Sequence, residues 1–148
     1  MRRDWVFKAT LWVCAAVSAA VLSGCTDYYP PHMRPLSGTT RALLADKGMT
    51  ASQPILIRVF KSEAELEVWK QKDDGHYYHL KTYTICKYSG ELGPKEKQGD
   101  MQAPEGFYVV NKNRLNPKSR YHLAFNIGYP NAFDRSLKRT GANLMVHG

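Results

Sequence analysis

The sequence predicts a mainly β domain behind an N-terminal leader and a short tether, and three observations predict it. Residues 55–60, Ile-Leu-Ile-Arg-Val-Phe, are dense in β-branched and aromatic side chains, the composition of a strand. Residues 63–68 alternate strictly, with Glu63, Glu65 and Glu67 set against Ala64, Leu66 and Val68, the two-residue period of a half-buried strand. Asp73-Asp74-Gly75 then supplies a turn before residues 78–86, so the three runs read as an antiparallel meander.

Taken from the start, residues 1–24 read as an export signal. Arg2, Arg3 and Lys8 make a positive beginning, and the apolar run 9–22 is shorter than the roughly 20 residues that span a bilayer. The run closes on Leu22-Ser23-Gly24-Cys25, which resembles a bacterial lipobox. That resemblance implies a diacylglycerol on the Cys25 thiol, cleavage before it, and a mature protein held at a membrane by acyl chains rather than by a spanning helix. Thr26 after Cys25, rather than Asp, resembles the sorting signal for an outer membrane if the cell is Gram-negative. The other reading is an ordinary signal peptide, or an uncleaved anchor, with an incidental Cys.

Residues 25–52 form the tether. Pro30, Pro31 and Pro35 keep it extended, because proline restricts φ and removes a backbone donor. A short helix over 40–47 follows, with Thr40 as its cap, Leu43 and Leu44 as its apolar pair and Gly48 just past its end. Its expected place is over one end of the sheet. Residues 53–148 make up the domain itself. After the meander comes a loop over 87–105, long enough to suggest a functional segment or a disordered one. Strands are expected at 107–110 and 121–129, separated by an Asn116-Pro117 turn, and a last strand begins at 143 and runs to His147.

The chain of 148 residues carries 21 Lys and Arg against 13 Asp and Glu, a net charge of +8. Loss of residues 1–24 removes three basic residues and one acid, leaving 18 against 12, or +6. A basic surface raises encounter with polyanions. An exported protein rarely meets nucleic acid, so the expected partners are anionic cell wall or lipid headgroups. Of the three cysteines, Cys14 leaves with the signal and Cys25 is lipidated, so Cys86 stays alone in an oxidising compartment. Within the strand 78–86 it reads as a buried, inert thiol, or as the partner of a Cys elsewhere. The histidines have no Cys or carboxylate partners at ligand spacing, so no metal site and no cofactor are expected.

Two constellations bear on chemistry. Residues 90–99, Gly-Glu-Leu-Gly-Pro-Lys-Glu-Lys-Gln-Gly, are punctuated like a phosphate cradle. They lack the Gly-Lys-Ser/Thr ending that leads a phosphate loop into its helix, and a strand follows. The chain closes on Leu144-Met145-Val146-His147-Gly148, an apolar run into a His-Gly pair.

Together with Ala103-Pro104-Glu105-Gly106-Phe107-Tyr108 and Asn126-Ile127-Gly128-Tyr129-Pro130-Asn131-Ala132-Phe133-Asp134, these segments resemble the front half of an L,D-transpeptidase catalytic domain of the YkuD type. The order Ile85 to Gly90, Leu92 to Lys95, Gln98 to Asp100 and Pro104 to Tyr108 is most similar to its YafK-like branch. The resemblance implies a partial YkuD-type β-sandwich or barrel-like fold and a Cys-dependent acyl transfer on peptidoglycan stem peptides. His147 would be the general base that takes the thiol proton, and Gly148 would shape the pocket. Backbone amides near the Cys would form an oxyanion hole. Lys95, Lys97 and Tyr88 are the expected binding residues, with Lys87, Lys112 and Arg114 as further basic side chains around the groove.

The branch also implies a murein-linked outer-membrane lipoprotein as a partner, and it leaves transpeptidase and amidase outcomes both open. The family's Ser-x-Gly-Cys segment, which follows the His-Gly pair, is not among the 148 residues, so the sequence reads as truncated before the catalytic Cys. The alternatives are a non-catalytic peptidoglycan-binding lipoprotein and an inactive remnant.

Overall fold

The structure, a computed structural model, describes residues 30–148. The expected signal peptide, Cys25 and the start of the tether lie outside the described residues.

After a 3₁₀ turn at Pro31–Met33, helix α1 spans Gly38–Asp46. Its N-cap is Ser37 rather than Thr40: the Thr40 N–H donates to the Ser37 side chain at 3.1 Å. The helix starts early enough that Thr40 already lies in its first turn, where a free N–H needs an acceptor three residues back. Gly48 adopts φ +60 just past the end, and the Met49 N–H donates to the Leu44 carbonyl at 2.8 Å. Leu44 and Met49 are buried. Lys47 Nζ, just past the helix, donates to the His79 carbonyl of the sheet at 3.1 Å.

The meander is present as strands β1 (Ile55–Phe60), β2 (Glu65–Gln71) and β3 (Tyr77–Thr84), paired antiparallel in the order β1-β2-β3. Ile57 faces Val68, and Leu66 faces both Val59 and Tyr83. Glu63 and Ala64, expected in the second strand, instead form the turn before it, with Ala64 at φ +54 and its N–H on the Lys61 carbonyl. The strand gains its length at the other end, through Trp69, Lys70 and Gln71, where a register shift after Val68 interrupts the simple alternation. Lys70 is buried there, its ammonium donating to the carbonyls of Ala51 at 3.2 Å and Gln53 at 2.7 Å, and burial lowers its pKa.

Strand β3 ends at Thr84, and the last link to the hairpin is the Ile85 N–H on the Ala64 carbonyl. Cys86 therefore lies beyond the strand and is exposed, not buried within it.

A second sheet has the order β4-β5-β6 and contains β4 (Leu115–Asn116), β5 (Ala124–Asn126) and β6 (Met145–Val146). Phe125 pairs with both Leu115 and Val146, all antiparallel. The expected strand over 121–129 shrinks to three residues. His122 and Leu123 both stand at φ +45, which breaks the pleat on one side, and a cis Tyr129-Pro130 bond closes the other. Residues 107–110 form no strand, and Phe107 is 96% exposed.

A short helix α2 spans Ala132–Ser136, opened by a reciprocal capping box between Asn131 and Asp134. Buried hydrophobic residues are few among those described: Leu44, Met49, Ala124 and Tyr129. Order in the second half of the chain therefore depends heavily on buried polar contacts.

Candidate functional site

The candidate site residues lie in three pieces of the chain. The first is the glycine-punctuated loop, which is built from within. Asp100 accepts from the N–H groups of Glu96 at 2.9 Å, Lys97 at 3.0 Å and Gln102 at 3.1 Å, and pairs with the Lys95 ammonium. Lys95, and after it these amides, hold the Asp100 carboxyl far below its ordinary range. The Gln102 side chain accepts from the Glu91 N–H and donates to the carbonyls of Glu91 and Gly93. Lys61, at the β1–β2 turn, reaches 2.7 Å from the Gly93 carbonyl, 3.2 Å from that of Ala103 and 3.1 Å from the Glu105 carboxylate. Lys61, with the Gly93 N–H, lowers the Glu105 pKa. The long loop, expected to be either functional or disordered, is thus an internally bonded platform.

The expected binding residues divide. Lys95 is buried, and its ammonium is committed to Asp100 and to the Lys97 carbonyl at 3.0 Å. It organises the loop and does not offer a cation to solvent. Lys97 keeps an exposed side chain, and Tyr88 presents its ring 5.7 Å from the Lys61 ammonium.

The second piece couples the loop to helix α2. Asp134, 1% exposed, accepts from the Asn131 N–H at 3.0 Å, the Tyr108 hydroxyl at 3.0 Å and the Arg139 guanidinium at 3.1 Å. Burial pushes its carboxyl up, but these donors together outweigh burial and leave its pKa below the ordinary value. The Tyr108 phenol moves the opposite way, pushed well up by burial and then by the Asp134 carboxylate.

The Tyr129 hydroxyl donates to the Lys95 carbonyl at 3.0 Å, and the Gln98 N–H donates to the Thr140 hydroxyl at 3.0 Å. Gly106, at φ +153, lets the chain turn directly under Tyr108, where a Cβ would stand 3.1 Å from the phenol oxygen. Sequence reasoning missed Asp134 and Arg139. The visible signal was the Asn131-x-x-Asp134 spacing, which reads as a helix start.

The third piece is the His-Gly pair at the end of β6. His147 is exposed, and its Nδ1 lies 3.2 Å from the Gly148 carbonyl oxygen. The Tyr121 ring stacks on the imidazole with centroids 4.8 Å apart and planes at 31°. The Gly148 N–H donates to the His122 carbonyl at 3.3 Å, which pins the strand end. Holding two consecutive non-glycine residues, His122 and Leu123, in left-handed conformations costs roughly 1–2 kcal/mol each. A proton on Nδ1, shared with the Gly148 oxygen, would leave the lone pair on Nε2. Among the described residues no group of three His, Cys, Asp or Glu side chains could hold a metal ion.

No protein-family profile matches the chain. Among curated proteins, YafK of Escherichia coli strain K12, an L,D-transpeptidase by inference, is 46% identical over 112 residues, 76% of this chain and 45% of the relative. The YafK of strain O157:H7 matches identically. The chain thus spans less than half the length of these relatives.

Among solved structures, the helical cell shape determining protein Pgp2 of Campylobacter jejuni superposes with a TM-score of 0.51 at 24% identity, covering 73% of this chain and 40% of that one. A point mutant of Pgp2 gives 0.54 at 24% identity, over 81% and 42%. That likeness shows the fold, and the mainly β architecture with two small antiparallel sheets is of the YkuD type, as expected. Over the 112 matched residues, the chain is a homologue of the L,D-transpeptidase YafK.

Proposed function

We propose that the chain serves peptidoglycan remodelling, as part of an L,D-transpeptidase-like acyl transfer on murein stem peptides. The observation that supports this reading is the exposed His147 imidazole just past strand β6, with Nδ1 3.2 Å from the Gly148 oxygen, in a His-Gly pair that resembles the family's. His147 takes the proton of a Cys thiol, and the thiolate attacks a stem-peptide carbonyl to give a thioester. An amine then resolves the thioester by transpeptidation, or water resolves it by hydrolysis. The nucleophile of the family stands after the His-Gly pair and is not among residues 1–148. Lys97 and Tyr88 bind the stem peptide or its glycan from the loop, and Lys95 keeps that loop in shape. A murein-linked outer-membrane lipoprotein is the proposed acceptor or donor, by way of the YafK-like branch.

Residues 1–24 act as the export signal, 25–52 as the tether and 53–148 as the front part of the catalytic domain. Lipidation at Cys25 places the protein at the envelope. Radiolabelled palmitate incorporation that survives Cys25→Ala would refute the anchor.

The test of the function is exchange of a D-amino acid into a disaccharide-tetrapeptide by the protein expressed from its full reading frame. His147→Ala is expected to lower exchange by roughly 10²- to 10⁴-fold; unchanged exchange rejects the base. Retention of the 148-residue chain on murein sacculi, weakened by Lys97→Glu and by Tyr88→Ala, tests the binding surface. Retention without exchange by the full product would make the protein a peptidoglycan binder.

A further inference from the structure

Tyr121 plays no part in the chemistry above, yet among the described residues it makes the one aromatic contact to His147. An imidazole at the open end of a two-residue strand has two free rotors, and a base must hold its lone pair within a narrow angle of the proton it accepts. The hydrogen bond from Nδ1 to Gly148 restrains one ring edge but leaves rotation about that contact. A ring face packed against the imidazole removes that freedom.

We propose that Tyr121 is a positioning residue for His147, set over the imidazole by the left-handed step at His122 and Leu123. In a regular strand, the pairing of Phe125 with Val146 would carry Ala124 opposite His147 and direct residues 122 and 121 onward past the strand end. Two consecutive residues at φ +45 turn the chain back instead, so the Tyr121 ring reaches the imidazole while the His122 carbonyl takes the Gly148 N–H. The Tyr121 backbone is held in turn, its N–H donating to the Ser119 hydroxyl at 3.1 Å. The strained step, unexplained by sheet pairing alone, gains a purpose: it aims one aromatic side chain at the candidate base. Tyr121 acts through its ring, whose centroid lies 4.8 Å from that of the imidazole, and no hydrogen bond joins its hydroxyl to His147 among the described residues. The inference rests on reading His147 as the base, but its test does not.

Long-range ¹H–¹⁵N correlation of the His147 ring in the 148-residue chain reads the tautomer and its exchange directly. The intact chain and Tyr121→Phe are expected to show the proton predominantly on Nδ1, together with cross-relaxation between the two rings. In Tyr121→Leu and Tyr121→Ala the ring nitrogens shift toward the averaged values of a free histidine, while the signals of Leu44 in helix α1 and Val68 in the other sheet stay in place. A His147 spectrum unchanged in Tyr121→Leu and Tyr121→Ala overturns the proposal. So does the absence of ring-to-ring cross-relaxation in the intact chain, which needs no variant to fold. Loss of exchange activity in His147→Ala alongside an unmoved Tyr121→Ala spectrum would leave the base in place and remove only the positioning role.

Discussion

Tyr108 donates its hydroxyl to Asp134 Oδ2 at 3.0 Å, across 26 residues of chain, and so joins the end of the glycine-rich loop to the capping box of helix α2. The same carboxylate takes the Arg139 guanidinium and the Asn131 N–H. One buried anion therefore gathers three segments.

Asp134→Asn leaves the Arg139 guanidinium without its buried counter-charge, and the expected loss is about 3 kcal/mol in thermal or urea unfolding. The carboxyl sits below its ordinary value of 3.8, so its contribution is complete above that pH and disappears as pH falls through the lower folded value. Stability of the native chain should fall as the solution is acidified below about pH 4, and this acid limb should be shallower in Asp134→Asn. Equal acid limbs in the two proteins would count against the assignment. Tyr108→Phe, which removes a single donor, should cost about 1 kcal/mol.

Gly141 stands at φ +143, where an added Cβ would lie 2.7 Å from Lys95 Cε and 3.2 Å from the Tyr129 ring. Lys95 cannot swing aside, because its ammonium is held by Asp100. Gly141→Ala is expected to destabilise by about 2 kcal/mol. Gly38→Ala, in open space at the start of α1, should instead stabilise by roughly 0.5 kcal/mol. Differential scanning calorimetry on the pair separates the two outcomes by sign.

Asp100→Ala removes the acceptor of three loop amides and the partner of Lys95. Hydrogen exchange at Glu96, Lys97 and Gln102 should quicken by about tenfold or more, with the meander amides of Val68 and Lys70 unaffected. Uniform quickening across both sheets would mean that the loop is a part of the global core and not a locally ordered platform.

Ser37→Ala should cost about 1 kcal/mol, since it takes the acceptor from the Thr40 N–H. Thr40→Ala should cost less. The reverse order in chemical denaturation would restore Thr40 as the cap.

The meander was legible because local signals and packing agree there: β-branched residues in β1, a turn at Asp73 to Gly75, and alternation through Leu66 and Val68. Legibility ended where a tertiary contact outranked local preference. Phe107 to Val110 has strand composition but forms no strand, because Asp134 draws Tyr108 toward helix α2 and away from a pleated ladder. Nothing in the sequence marks Lys70 as buried, yet two carbonyls receive its ammonium in the interior. Cys86 reads as a strand residue, and the sheet stops two positions before it. Of the candidate site, the His-Gly pair was visible only through family resemblance. Its supports, Tyr121 and the left-handed step, depend on backbone angles that His122 and Leu123 do not advertise. Asp134 had a faint signal in the Asn131-x-x-Asp134 spacing, and Arg139 had none.

The way the glycine-rich loop is held has an evolutionary consequence. Lys61, Gln102 and Asp100 set its course mainly by gripping main-chain N–H and C=O groups. Every residue type offers those groups, proline's missing N–H aside. The outward side chains of Leu92, Glu96, Lys97 and Met101 can therefore drift between lineages while the path of the backbone persists. Surface residues of such a loop can be exchanged without altering its path, with the three gripping side chains as its frame.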